Sequence, residues 1–192
     1  MTRIVLITGK IGSGKDVCAQ HLCDALSYTQ LSFADPLKSF ASLLFQFPTS
    51  WAYSREGKEQ KPHLGGGLTV GQILQRFGTE VGRSINPNLW VDLCLQQIAR
   101  HNLEKVVISD CRYENEYRNL VLECPCLLIA LTRDAEELVG GRDSTHASED
   151  TQWWNTVKPH IIDNAHISLF DTFIEVERLV RDWESKIKPE PF

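Results

Sequence analysis

Ile4-Val5-Leu6-Ile7-Thr8-Gly9-Lys10-Ile11-Gly12-Ser13-Gly14-Lys15-Asp16 is the stretch whose reading decides the fold. An apolar run of strand length stops at a glycine-rich turn, and helical periodicity begins directly behind it. Glycines let the backbone curl until successive N–H groups point into one hollow. The helix opening at Gly14 adds the partial positive charge of its unpaired N–H groups, and Lys15 adds a full charge on a long stem. The expected structure is a polyphosphate cradle, a P-loop.

Gly9, Gly14 and Lys15 stand where G-x-x-x-x-G-K-[ST] places them, but Asp16 replaces the final hydroxyl. That hydroxyl normally ligates magnesium, and a carboxylate there holds the metal directly or through water. The competing dinucleotide fingerprint needs a third glycine at position 17, which is Val17, although Asp35 would have suited its ribose acid. A bare glycine turn with a surface lysine is the simpler alternative.

The rest of the chain sets the cradle in a sheet. Val17, Cys18, Leu22 and Ala25 give the first helix an inner face, and Leu31 and Phe33 mark a second strand. Asp35-Pro36 starts a helix, with the acid as cap, that runs through Leu37, Phe40, Leu43, Leu44 and Phe47 to Pro48. Lys38 in its first turn either reaches an anion or is solvated. Pro48 to Gly67 reads as irregular. Thr69 and Gln72 form a capping box ahead of a helix that carries Arg76 and Arg83 seven residues apart, nearly on one face. Asn86-Pro87 opens the next helix. There Trp90 reads as a packing anchor before a base-stacking platform, and is kept as a candidate substrate contact.

Val106 to Asp110 is a buried strand ending in an acid, so Asp110 and Arg112 should face the ligand crevice. Asp110 then serves the metal or caps the following helix, and both readings stand. Asn115 to Glu123 forms a helix and Leu127 to Leu131 a further strand. Asp134 to Asp150 is polar and hinged at Gly140-Gly141. With Arg133 and Arg142 it reads as a closing lid, or else as a solvated loop. His160 to Asn164 is a last strand and Leu169 to Ile187 a closing helix. Alternating buried strands and helices predict one α/β domain over residues 1–192, a doubly wound, mostly parallel sheet flanked by helices.

Composition narrows the function. The 192 residues carry a formal net charge of -5, so no global basic field attracts nucleic acid, and none is expected as a partner. No apolar run has membrane-spanning length, and the N-terminus lacks a signal peptide's core, so a cytoplasmic protein is expected. The six cysteines form no C-x-x-C pair and read as reduced thiols, mostly core. A GTPase switch would need Asn-Lys-x-Asp and D-x-x-G, both absent, and a motor would need a larger, basic body. A small-molecule kinase is favoured, because it must exclude water from the γ-phosphoryl group and a lid and acceptor arm do so.

Gly12-Ser13-Gly14-Lys15-Asp16, Phe33-Ala34-Asp35-Pro36-Leu37-Lys38, Leu74-Gln75-Arg76-Phe77-Gly78-Thr79-Glu80, Trp90, Asp110-Cys111-Arg112 with Glu114, and Thr145-His146-Ala147-Ser148-Glu149 together resemble the bacteriophage deoxynucleoside monophosphate kinases. The resemblance runs in order over most of the chain, and that family tolerates Asp after the P-loop lysine. It implies a P-loop kinase fold, with a helical acceptor-binding region at 35–104 and a lid at 133–150. It also implies transfer of the γ-phosphate of ATP to a deoxynucleoside monophosphate with Mg2+. In that reading Lys10, Gly12, Ser13, Gly14, Lys15 and Asp16 hold ATP, and Asp16 and Asp110 serve the metal. Lys38, Arg76, Arg83, Trp90, Asp110 and Arg112 belong to the acceptor subsite, and Lys15, Arg133 and Arg142 carry the catalytic charge. A homodimer is a possible assembly, and if the chain is phage-encoded the compartment is the host cytoplasm. Phosphomevalonate kinases share similar P-loop and Asp-x-Arg pieces and are the runner-up. A non-enzymatic nucleotide-binding protein is the rival of another class.

Overall fold

The computed structural model describes residues 1–133 and 151–187, so residues 134–150, which include Arg142 and most of the expected lid, lie outside the described residues. The chain divides into two compact units, Met1–Ser32 with Gln97–Phe192, and Phe33–Gln96.

The first unit is built on β1 (Arg3–Thr8), β2 (Thr29–Leu31), β3 (Lys105–Ile108), β4 (Cys126–Thr132) and β5 (His160–Asp163), in the order β2-β3-β1-β4-β5. Every pairing is parallel; Val5 stands opposite Val107 on one side and Leu127 on the other. Parallel strands buried on both faces read as unbroken apolar runs, which is why Ile4 to Ile7 are wholly buried without alternation. Val5, Ile7, Val107, Ile129 and Ile162 pack with Cys18, Ala19 and Leu22 of α1 (Lys15–Leu26). Val176 and Val180 of α9 (Leu169–Lys186) complete that layer. β1 lies between β3 and β4, so the chain reverses direction across the sheet there. Ligands of open α/β sheets bind in the crevice at such a point, beyond the carboxyl ends of the strands.

The second unit is helical. α2 (Asp35–Phe45) ends sooner than the apolar pattern suggests, because Gln46 turns into the left-handed region at φ +52°. Phe47 then folds back onto Ala41, Ala52, Val70 and Ile73, while Phe40, Leu43 and Leu44 stay exposed. Asp35 does not cap this helix: its carboxylate accepts from Lys38 Nζ and from Tyr53 Oη, each at 3.0 Å. The segment expected to be irregular contains 3-10 turns at Thr49–Ala52 and His63–Gly65 and a short α3 (Arg55–Lys58), capped by Ser54. Local side chain to backbone bonds organise it without the periodicity that sequence reading detects.

The Thr69–Gln72 capping box is formed, and α4 (Val70–Gln75) follows it. Its continuation, Arg76–Gly82, is a π-helix that leads into α5 (Arg83–Ile85), and α6 (Leu89–Arg100) follows. Bonds from i to i+5 underwind the chain, so Arg76 and Arg83 do not share the face that α-helical spacing assigned them. Two buried glycines explain the local geometry. A Cβ on Gly78 would stand 2.7 Å from Leu37 Cδ2, and one on Gly82 would stand 2.5 Å from Trp90 Cζ2. In the first unit, α7 (Glu114–Glu123) follows β3, and a short α8 (Trp154–Val157) that no periodicity announced precedes β5.

Candidate active site

The cradle follows β1. Gly9 stands at φ +141°, and a Cβ there would collide with the Leu131 carbonyl and Ser13 Oγ, so only glycine fits. Gly14 occupies the N-cap of α1 in the left-handed region at φ +91° and carries no side chain to satisfy the first N–H groups. Those donors and the helix dipole therefore face outward together, which is the requirement for holding phosphate. Ser13 N donates to Lys10 O at 3.2 Å and closes the turn. Lys15 is only 9 % exposed, and its Nζ donates to Lys10 O at 2.6 Å and approaches Ser13 Oγ at 3.5 Å. The cation thus sits against the loop that it would serve, with little conformational freedom left to lose on binding a phosphate. Lys10 itself is exposed.

Two carboxylates are candidates for the metal, one on the first turn of α1 and one just after β3. Asp16, exposed on the first turn of α1, accepts from Ser109 Oγ at 2.7 Å. Ser109 directly follows β3, is 3 % exposed, and in turn accepts from Gln30 Nε2 of β2 at 3.2 Å. Asp110, the next residue, accepts from Ser32 Oγ at 2.6 Å. The N-cap residue of α7 (Glu114–Glu123) is Tyr113. Glu116, 1 % exposed, takes Arg112 N at 2.6 Å and Tyr113 N at 3.0 Å on a single oxygen, Oε2, and so fixes the turn that carries Asp110 and Arg112. Among the described residues no group of three His, Cys, Asp or Glu side chains gathers to enclose a metal. Two carboxylates beside a phosphate cradle suit Mg2+, which keeps several waters and takes one or two carboxylates together with phosphate oxygens.

On the other side of the cradle, Asn164 follows β5 and donates Nδ2 to Ser13 O at 2.9 Å. A carbonyl can only accept, so the orientation of this amide is settled. The backbone N–H of Asn164 donates to Thr132 O at 2.9 Å, so Asn164 ties the P-loop to the edge of the sheet. Sequence reading missed Ser109, Ser32, Glu116 and Asn164. The available signal was polar residues closing otherwise apolar strands.

The remaining candidates are divided between the two units. Arg133 follows β4 and is exposed. In the helical unit Arg76 is exposed, and Arg83 donates to Pro87 O at 3.4 Å. Lys38 pairs with Asp35 and lies 4.2 Å from the Tyr53 ring centroid. Trp90 is 8 % exposed and its indole N–H donates to Gly78 O at 3.0 Å, so the side chain is anchored on the π-helix. The thiols are all free. Burial pushes Cys18 up to about 11 and, with help from the neighbouring Cys124, Cys126 to about 12, so neither acts as a nucleophile near neutrality.

No family model matches the chain. Among solved structures, a Sinorhizobium meliloti gluconokinase aligns with a TM-score of 0.51 at 14% identity, over 96% of this chain and 97% of that one. Protein TT1252 of Thermus thermophilus aligns with a TM-score of 0.55 at 16% identity, over 98% and 99%. At such identities these likenesses speak for the fold, which is that of the P-loop kinases. By sequence, a protein of Acanthamoeba polyphaga mimivirus named "Putative deoxynucleotide monophosphate kinase" is 33% identical over 163 residues, 78% of this chain and 81% of its own. With the cradle and its lysine in place, the chain belongs to the family of that viral protein, a family of P-loop nucleotide kinases.

Proposed function

We propose that this protein transfers the γ-phosphate of ATP to a deoxynucleoside monophosphate, giving ADP and a deoxynucleoside diphosphate. The observation that carries the reading is kinship with the mimivirus protein over four-fifths of its length, in a chain whose cradle is sterically restricted to glycine at Gly9.

The chemistry asks little of the protein beyond position and charge. A phosphate oxygen of the acceptor attacks the γ-phosphorus, the bond from that phosphorus to the β–γ bridging oxygen breaks, and ADP leaves with the electron pair. The acceptor phosphate has a second pKa of about 6, so its oxygen is anionic at neutral pH and needs no general base. That accords with a site built from lysine, arginine, serine and aspartate. Lys10, Gly12, Ser13, Gly14, Lys15 and Asp16 hold the triphosphate. Arg112, Arg76, Arg83 and Lys38 are assigned to the acceptor, and Arg133 with Arg142 to the charge on the phosphoryl group in flight. Bound Mg2+ would screen the β- and γ-phosphate charges, with Asp16 and Asp110 as its protein partners.

The test is ADP formation from Mg-ATP across the common ribo- and deoxyribonucleoside monophosphates, with phosphomevalonate alongside. Turnover with one or more deoxynucleotides supports the proposal. Turnover with phosphomevalonate alone would move the chain to the other kinase class. ATP binding with no acceptor-dependent turnover would make it a non-enzymatic nucleotide binder.

A further inference from the structure

The metal-side pair of this P-loop is inverted. In an ordinary P-loop the loop supplies a hydroxyl and a neighbouring strand supplies the acid. Here the loop position holds Asp16, and the hydroxyl reaches it from the end of β3 as Ser109, at 2.7 Å. The hydrogen-bond directions follow from chemistry. Ser109 has one proton, and a carboxylate oxygen can only accept, so that proton goes to Asp16 Oδ1. The lone pairs of Ser109 are then served by Gln30, whose amide nitrogen stands 3.2 Å away. The result is a one-way chain, Gln30 to Ser109 to Asp16, running from β2 through β3 to the loop. Burial of Ser109 at 3 % exposure holds the middle of the chain away from competing water. Asp16, by contrast, is exposed, and among the described residues only its Oδ1 is engaged.

From this geometry we propose that Ser109, backed by Gln30, is a positioning residue that fixes Asp16 so that Oδ2 is presented to the metal or to its water. A carboxylate on the first turn of a helix otherwise rotates among rotamers, and tethering one oxygen removes that freedom before the metal arrives. Groups that hydrogen-bond to a metal's ligands typically govern about tenfold to a hundredfold in metal affinity. The inference rests on the kinase reading above.

The experiment reads ADP binding by calorimetry with and without Mg2+, in wild type, Ser109→Ala, Ser109→Cys, Ser109→Thr, Asp16→Asn and the Asp16→Asn/Ser109→Ala pair. The expected result is that Mg2+ tightens ADP binding to wild type, and that Ser109→Ala and Ser109→Cys each lose about tenfold of that enhancement. Metal-free ADP affinity should stay unchanged, and Ser109→Thr should restore the enhancement. In the Asp16→Asn background Ser109→Ala should cost nothing further. A merely structural serine would instead weaken ADP binding equally with and without metal, which overturns the proposal. So would a wild-type enhancement in Ser109→Ala or Ser109→Cys, or additive losses in the pair. Wild type that binds no ADP at all would overturn the kinase reading and this inference together, whereas failure confined to the metal comparison leaves that reading standing.

Discussion

Replacing Glu116 by alanine tests how the turn carrying Asp110 and Arg112 is held. The carboxylate is 1 % exposed and accepts Arg112 N at 2.6 Å and Tyr113 N at 3.0 Å on the same oxygen. Alanine leaves two N–H groups without that acceptor, and each orphaned donor costs about 1–3 kcal/mol when buried. Both are only partly buried, so a sum of about 2–4 kcal/mol is expected, near the lower end of that range. For a chain of this size each kcal/mol lowers Tm by about 2–4 °C, giving a fall of roughly 4–16 °C. Glutamine is the informative partner, because one amide oxygen can accept both N–H groups. It keeps an acceptor for these two N–H groups with less charge assistance, and should lose about half as much. Thermal unfolding followed by circular dichroism measures both variants. Acceptor KM, determined at temperatures where both are folded, should rise more for alanine than for glutamine, because Arg112 loses its fixed backbone. Alanine melting within about 2 °C of wild type would refute the argument. So would glutamine proving as damaging as alanine.

Lys15→Ala is expected to leave the melting curve close to wild type and to reduce kcat by about a thousandfold, since a charge on the transferring phosphates is lost. Lys15→Arg should also be poor, because a planar fork does not fit a site shaped for a point charge; steady-state rates of both decide it. Arg133→Ala and Arg142→Ala should act on kcat by up to about a thousandfold, whereas Arg76→Ala, Arg83→Ala and Arg112→Ala should chiefly raise acceptor KM with ATP affinity unchanged. Bisubstrate kinetics would contradict that map if all three of the latter kept a wild-type acceptor KM. For the thiols the sign is fixed by burial: Cys18 is raised from 9.0 to about 11 and Cys126 to about 12 in the folded chain. Their contribution to stability is therefore complete below pH 9 and is lost as pH rises towards those values, while the unfolded chain ionises first. Mass-resolved alkylation at pH 8 should spare Cys18 and Cys126 until the protein is unfolded, and rapid labelling of the native protein would contradict the burial.

The helical unit shows where pattern reading fails. Capping at Thr69 and Gln72 was legible because both partners lie within one turn. The π-helix that follows was not, since Gly78 and Gly82 are small for the sake of Leu37 and Trp90, residues that helical spacing does not bring to them. The same winding separates Arg76 from the face of Arg83. Asp35 was legible as a helix start but not as the acceptor of Lys38 and Tyr53, because Tyr53 arrives from a segment without periodicity.

What the sequence determined by itself is the cradle and the sheet under it. A P-loop is contiguous, so glycine's conformational freedom, the helix N-terminus and Lys15 are all set within eight residues, and unbroken apolar runs announce parallel strands. Only the tertiary structure decided what surrounds that cradle. Ser109 reaches Asp16 across 93 residues, Ser32 reaches Asp110 across 78, and Asn164 reaches the Ser13 carbonyl across 151. These partners are aligned by parallel register, in which Leu31 stands opposite Ile108 and Thr132 opposite Asp163. Register is a relation between distant strands, and a local pattern of hydrophobicity carries no record of which strand end will lie beside which.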